Sequence, residues 1–320
     1  MELQEYLLIN AEMIDRVIES TYGCLSGELG KASAHLLLAG GKHLRPALFS
    51  LSADACVKGS SKSLVPAALA LDLTHTFTLI HDDIMDGDSS RRGVPTVHTK
   101  WDESTAILAG DVLYSRAYES ICCATASEES KVRAISMLAR TCVEICEGQF
   151  LDMSFEKMAD VTESEYLEMI RKKTGVLYAA AAGMGAILSG GKKEYSDSLY
   201  NYGINIGMAF QIQDDLIDLV IPAEVSGKDR ASDIREGKKT IIAIKALKAG
   251  FDLRQYKRNL SESEIDSVIE KLNSLNVLEE VKTVSQDLVD EGIKLLDILP
   301  DSMEKRLIIG IGNYFINRGH

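Results

Sequence analysis

Between Leu64 and Ile84 apolar residues occupy almost every side of a helical wheel, the pattern of a helix buried on all faces. Farther on, Ile265, Val268, Ile269, Leu272 and Leu275 recur at helical spacing and predict an amphipathic helix on the outside of the molecule. Thr162-x-x-Glu165, Ser261-x-x-Glu264 and Asp301-x-x-Glu304 each read as a capping box ahead of an apolar-periodic run. Alternation with period two is scarce, so no strand is predicted. Loops are expected at Lys58–Ser63, Gly87–Pro95, Gly190–Lys193 and Pro222–Ser232, where glycine, proline and polar residues cluster. None has the look of an interdomain linker, and no internal repeat or low-complexity segment interrupts the chain. The pattern predicts an all-α protein with one large helical domain over residues 1–320 and roughly a dozen helices.

Composition agrees with the helical reading. Only 5 of 320 residues are proline and 6% are aromatic, which disfavours turn-rich β structure. Lys and Arg number 35 against 48 Asp and Glu, a net charge of −13. A nucleic-acid partner would need a basic face, and no basic stretch is long enough to supply one. The first residues carry Glu2 and Glu5 rather than the basic start of a secretory signal. The longest apolar run, Val176–Leu188, falls short of the ~18–20 residues that span a bilayer. Cys24, Cys56, Cys122, Cys123, Cys142 and Cys146 form no C-x-x-C pair, and no histidine is spaced to complete a zinc site. They are expected to be free, buried thiols in a reducing cytoplasm.

Chemistry concentrates in two segments. Asp82-Asp83-Ile84-Met85-Asp86 and Asp214-Asp215-Leu216-Ile217-Asp218 both read D-D-x-x-D and begin 132 residues apart. On a helix the first and last aspartates share a face. Both motifs sit among apolar residues, where clustered carboxylates are costly unless a cation binds them. Magnesium fits, since it takes one or two carboxylates and completes its shell with water and phosphate oxygens. A polyanion such as a diphosphate would then be the ligand. Basic residues beside glycines stand ready for it: Lys42 and Arg45 in G-G-K-H-L-R-P, Arg91-Arg92-Gly93, Lys172-Lys173-Thr174-Gly175, Gly227-Lys228, and Lys238 in G-K-K-T. A P-loop, a dinucleotide fingerprint, a G-x-S-x-G elbow and an H-E-x-x-H zinc motif are all missing from the sequence. His81 is read either as orienting Asp82 or as making a structural hydrogen bond.

In their order these segments resemble the trans-isoprenyl diphosphate synthases, or polyprenyl synthetases: G-G-K-x-x-R-P, D-D-x-x-D with R-R-G-x-P-T, G-Q-x-x-D, K-T-G, F-Q-x-x-D-D-x-x-D, then G-K. The resemblance implies an all-α fold with a central cavity whose mouth is faced by both acidic motifs, and a homodimer. It implies Asp82, Asp86 and Asp214 as direct ligands of two or three magnesium ions, supported by Asp83, Asp215 and Asp218. Arg91, Lys173 and Lys228 match positions that bind an allylic diphosphate, with Lys238 nearby. Lys42, Arg45, His75 and Arg92 match the isopentenyl diphosphate site. Thr174 and Gln211 match residues beside the reacting carbons, and Gln149 and Asp152 line the pocket.

The implied reaction is a magnesium-dependent prenyl transfer. The allylic diphosphate ionises, the isopentenyl double bond attacks, and a proton leaves to the released diphosphate. Phe77 and Thr78, five and four residues before Asp82, match positions that set chain length. At 1.5 Å per residue Phe77 lies roughly 7 Å below Asp82, about one isoprene unit, although on an ideal helix it points about 140° away. One aromatic there, with no insertion in the motif, resembles synthases that stop at twenty carbons (geranylgeranyl diphosphate). A fifteen-carbon synthase, a terpene cyclase and a silent subunit of a heteromeric synthase are the alternatives. Two residues depart from the family pattern. His43 stands where many members have arginine and would retune the isopentenyl site; Ala231 stands where glycine is common and would stiffen its loop.

Overall fold

The computed structural model describes residues 1–221 and 230–317. Among them the backbone is helical nearly throughout, and its contacts group into two compact units. The first unit holds residues 1–142, 180–200 and 298–308; the second holds 143–179, 201–297 and the stretch from Ile309 onward.

In the first unit the helices are α1 (Leu3–Tyr22), α2 (Glu28–Leu38), α3 (Leu44–Cys56), α4 (Val65–Asp86), a short α5 (Val97–Lys100) and α6 (Glu103–Cys122), followed by the start of α7 (Glu128–Phe155). α4 is the helix expected from the all-round apolar run. Every residue from Ala67 to Thr74 is buried, as are Thr76, Phe77, Ile80 and Asp83. It packs chiefly against α6, whose buried side is small or aliphatic: Ala106, Ala109, Gly110, Leu113 and Ala117. Small residues let the two helix backbones approach closely. Pro66 in the first turn of α4 gives up no hydrogen bond there, and Gly87 ends the helix with φ 71°. The helix therefore ends at Asp86.

One expectation fails here. The 87–95 loop contains a two-residue antiparallel ribbon in which Ser90 pairs with Pro95 and Arg91 with Val94. Its turn residues Arg92 and Gly93 both have positive φ, 52° and 75°, as a tight hairpin turn requires. Two residues per strand are too few for alternation to register in sequence.

The second unit takes the C-terminal part of α7, then α8 (Glu163–Ile170), a π-helical turn Arg171–Gly175, the start of α9 (Val176–Leu188) and most of α10 (Lys193–Val220). It continues through α11 (Ser232–Glu236), α12 (Ile241–Lys248), α13 (Glu262–Ser274) and α14 (Val277–Leu295); α15 (Met303–Ile316) closes the described chain. Its core gathers Phe155, Tyr166, Ile170, Ile212, Leu216, Ile241, Val268, Leu272 and Val281. Each such side chain contributes about 1.5–3 kcal/mol on burial. The capping boxes at Thr162 and Ser261 form as expected, with backbone and side-chain bonds in both directions. At α15 the cap shifts by one residue: Ser302 Oγ, not Asp301, accepts from the Lys305 amide at 3.0 Å.

None of the six cysteines is in a disulfide, but only Cys142 is buried; Cys24, Cys122, Cys123 and Cys146 are exposed and Cys56 is intermediate. The expectation of buried thiols is corrected, because four of these positions fall on outward helix faces or ends. Among the described residues no helix is long and apolar enough to cross a membrane.

Candidate active site

Asp82 and Asp86 lie one turn apart at the C-terminal end of α4, and Asp214, Asp215 and Asp218 occupy the last two turns of α10. A helix C-terminus carries partial negative charge, so carboxylates there are at the electrostatically wrong end. Both acidic motifs share this placement, which a bound cation would offset. Among the described residues no three His, Cys, Asp or Glu side chains close on one point. The donors are hard oxygens from paired aspartates. They suit magnesium delivered with a diphosphate, which completes the coordination shell, better than a dedicated protein cage.

In the first unit Asp83 is fully buried and ion-paired with Arg91 Nε, while Arg91 Nη2 reaches Asp88 at 3.1 Å. Burial raises the Asp83 carboxyl above its ordinary value although Arg91 pulls it down. Its Oδ2 is buried without a hydrogen bond among the described residues. Arg92 donates to the Leu36 carbonyl at 3.0 Å, with its guanidinium against Gly41 of the G-G-K segment. Arg45 is in the first turn of α3, and exposed Lys42 precedes that helix. Burial and the positive charges of Arg45, Arg92, Arg91 and His43 push the His75 imidazole well below its ordinary value. It is therefore neutral at physiological pH, with three arginine charges acting on it. Arg45, His75, Arg91 and Arg92 are thus brought together in one place.

His43, at the position where many family members have arginine, meets a carboxylate at each ring nitrogen. Its ring is buried between Asp72 of α4, bonded to Nδ1, and Asp15 of α1, 2.9 Å from Nε2. His81 hydrogen-bonds the Ile107 carbonyl at 3.1 Å, which is the structural alternative. Phe77 is buried edge-on against Tyr114 of α6, with ring centroids 5.2 Å apart, and against His81. Thr78 donates to the His75 carbonyl at 2.8 Å.

In the second unit Lys173 lies in the π-helical turn and pairs with Asp152 at 2.6 Å. Gly148, beside buried Gln149 on α7, allows this approach: a Cβ there would sit 2.4 Å from the Lys173 amide nitrogen. π-helical turns of this kind recur at functional sites. The neighbouring Thr174 hydroxyl donates to Gln211 at 2.9 Å, and Gln211 donates to Asp215 at 3.1 Å. The Tyr166 hydroxyl donates to the other Asp215 oxygen at 2.6 Å. Burial, with Asp233 nearby, drives the Asp215 carboxyl well above its ordinary value against both bonds. Asp218 accepts from Ser232 and from the Asp233 amide, so it caps α11. Ala231, next to that cap, has φ 57° and accounts for the usual glycine at its position.

Lys238 pairs with Asp233 at 3.4 Å and with Glu236 at 3.2 Å. Against the pull of burial, Asp233 and Glu236 hold its ammonium above the ordinary value. Burial and Asp218 push the Asp233 carboxyl up to about 6. Sequence reasoning missed Asp233, Tyr166, Asp72 and Asp15; the acidic residue ahead of G-K-K-T was the one available signal, for Asp233. Lys228 lies outside the described residues.

The polyprenyl synthetase family model matches residues 26–275 of this chain. The chain is 48% identical over 292 residues to a geranylgeranyl diphosphate synthase of Methanosarcina mazei, covering 91% of this chain and 90% of the relative. It is 42% identical over 308 residues to a geranylfarnesyl diphosphate synthase of Natronomonas pharaonis, covering 91% and 90%. Among solved structures, the geranylgeranyl pyrophosphate synthetase of Geoglobus acetivorans superposes with a TM-score of 0.91 at 42% identity, covering 98% of this chain and 99% of that one. A polyprenyl synthase of Caulobacter crescentus, complexed with calcium and isoprenyl diphosphate, superposes with a TM-score of 0.85 at 27% identity, covering 99% and 98%. The chain belongs to the polyprenyl synthetase family.

Proposed function

We propose that this trans-prenyltransferase condenses isopentenyl diphosphate with an allylic diphosphate and stops at twenty carbons, as geranylgeranyl diphosphate. The observation that carries the reading is the set of three guanidinium groups, Arg45, Arg91 and Arg92, around neutral His75 in the unit that bears Asp82 and Asp86. Such a concentration of positive charge suits a diphosphate, which arginine grips through paired hydrogen bonds. Lys42, Arg45, His75 and Arg92 hold the isopentenyl diphosphate, His75 as a neutral donor. Arg91, Lys173, Lys228 and Lys238 serve the allylic diphosphate and add positive charge as its leaving oxygen becomes negative.

Asp82, Asp86 and Asp214 would hold magnesium, two or three ions in all, with Asp83, Asp215 and Asp218 in support. Bound magnesium would neutralise the diphosphate as its C–O bond breaks. The allylic carbon then accepts the isopentenyl double bond, and the proton lost from the adduct goes to the released diphosphate. Thr174 and Gln211, tied together and to Asp215, present fixed polar atoms beside the reacting carbons. Gln149 and Asp152 line the pocket, Asp152 by orienting Lys173. Excluding water protects the cation from being trapped.

Phe77 and Thr78 limit chain length in this reading. A twenty-five-carbon product is the second reading, supported by the 42% identity to a geranylfarnesyl diphosphate synthase. We place the enzyme in the cytoplasm as one domain over residues 1–320, working as a homodimer. Support for the dimer comes from α7, where exposed Val132, Val143, Cys146, Phe150 and Met153 fall within about 80° of one another on the helical wheel. An uncharged stripe of that kind on a long helix suits a second copy of the chain.

The test is incubation of pure protein with isopentenyl diphosphate and each of the C5, C10 and C15 allylic diphosphates, with and without magnesium, followed by product sizing. A magnesium-dependent C20 product is expected. A C15 or C25 stop keeps the chemistry and corrects the chain length. No elongation by folded protein would shift the reading to a terpene cyclase or a silent subunit.

A further inference from the structure

We propose that His43 is a charged positioning residue, in which an imidazolium tied to Asp15 and Asp72 sets the placement of Lys42 and Arg45 for the isopentenyl diphosphate. The inference rests on the functional reading above and concerns the step by which this chain, without the usual arginine, holds its G-G-K segment in place.

Three observations carry it. The first is protonation. Each ring nitrogen of His43 meets a carboxylate, Nδ1 with Asp72 and Nε2 with Asp15. A neutral imidazole has one N–H, so one carboxylate would face a lone pair; only the doubly protonated ring satisfies both. The second is backbone conformation. His43 has φ 45° and ψ 40°, a left-handed geometry that a residue with a side chain keeps only when its surroundings fix it. The side chain is 4% exposed, so the fixing comes from inside the fold. The third is position. His43 directly precedes α3, follows Lys42 and lies two residues before Arg45. A cation at a helix N-terminus is repelled by the helix dipole, so without the two aspartates the ring would leave.

Asp15 from α1 and Asp72 and His75 from α4 interact with the ring itself, while Arg45 from α3 acts on His75 and Arg92 on Asp72. Burial works against charge on His43, yet Asp72 and Asp15 hold its imidazole above the ordinary value. An arginine at this position would keep its charge at every working pH. Histidine loses it as pH rises, so the tie is present at low pH and released at high pH.

The experiment is steady-state kinetics on the magnesium-loaded wild type, His43→Arg and His43→Asn from about pH 6 to 9, with separate KM values for isopentenyl and farnesyl diphosphates. In the wild type the isopentenyl KM is expected to rise about tenfold with pH while the farnesyl KM moves less than about twofold. His43→Arg should flatten that rise. His43→Asn, which accepts left-handed geometry but carries no charge, should show the raised KM throughout. Equal isopentenyl profiles in all three proteins, or a matching rise in both KM values, would overturn the proposal. Imidazole 15N chemical shifts supply a second readout that needs no turnover: a doubly protonated His43 ring near neutral pH is expected, and a neutral ring overturns the proposal. If the wild type makes no prenyl product, the functional reading falls, while the 15N shifts still decide whether His43 is charged.

Discussion

Ala231 shows how one side chain can carry a conformational cost. At φ 57° its Cβ crowds the following carbonyl, a strain of about 1–2 kcal/mol for an L-residue. Ala231→Gly is expected to raise stability by about 0.5–1 kcal/mol, read as a higher urea midpoint with unchanged slope. A lower midpoint would mean that the buried methyl outweighs the strain. Arg91 and Asp83 pose the opposite case. Arg91→Ala leaves a fully buried carboxylate without its ion-pair partner, and stability should fall by about 2 kcal/mol at neutral pH. That is less than for a wholly buried pair, because Arg91 is partly exposed to solvent. In the variant the folded Asp83 carboxyl stays above its unfolded value, so the missing stability should return as pH falls through the folded pKa. A loss that persists in acid would count against the charge argument. In sequence His43 and Ala231 stand out only as departures from a pattern. The aspartates that hold His43 lie 28 and 29 residues away along the chain, too far for any local rule to pair them.

Among the elements, the helices read best where their signals are local. α4 was legible from its apolar run, and its end from Gly87; α8 and α13 were legible from their capping boxes. The π-helical turn at Arg171–Gly175 was not, because it depends on α7 passing within contact of Lys173. Gly148→Ala would press a methyl against backbone that cannot yield easily. We expect a destabilisation of about 2 kcal/mol and a lower kcat through displacement of Lys173, measured by denaturation and turnover on the same sample. Full activity with full stability would dismiss the close-approach argument. Phe77 illustrates the limit of a helical wheel. The wheel turns it away from Asp82, and in the fold it lies against Tyr114 of α6. Phe77→Ser is expected to lengthen the product by opening space beside that aromatic pair; an unchanged chain-length profile would reduce Phe77 to core packing.

For the whole molecule, the apolar stripe on α7 carries the assembly prediction. Phe150 is 71% exposed, Val132 65% and Val143 58%, a poor arrangement for an isolated chain in water. Phe150→Glu should shift the protein from dimer to monomer in light scattering while leaving its helical CD spectrum intact. A wild-type monomer, or a variant of unchanged mass, would remove the stripe from consideration as an interface. The sequence by itself determined the helical class, the two aspartate motifs and the basic residues that accompany them, because hydrophobic period, capping and motif order are all local along the chain. Tertiary structure alone decided that His75 is neutral among arginines, that His43 is clamped by two distant aspartates, that Asp215 is held by Tyr166 and Gln211, and that most of the cysteines face solvent. Those outcomes depend on burial and on partners brought in from other helices, and neither burial nor partnership is written in the spacing of residues along one strand of chain.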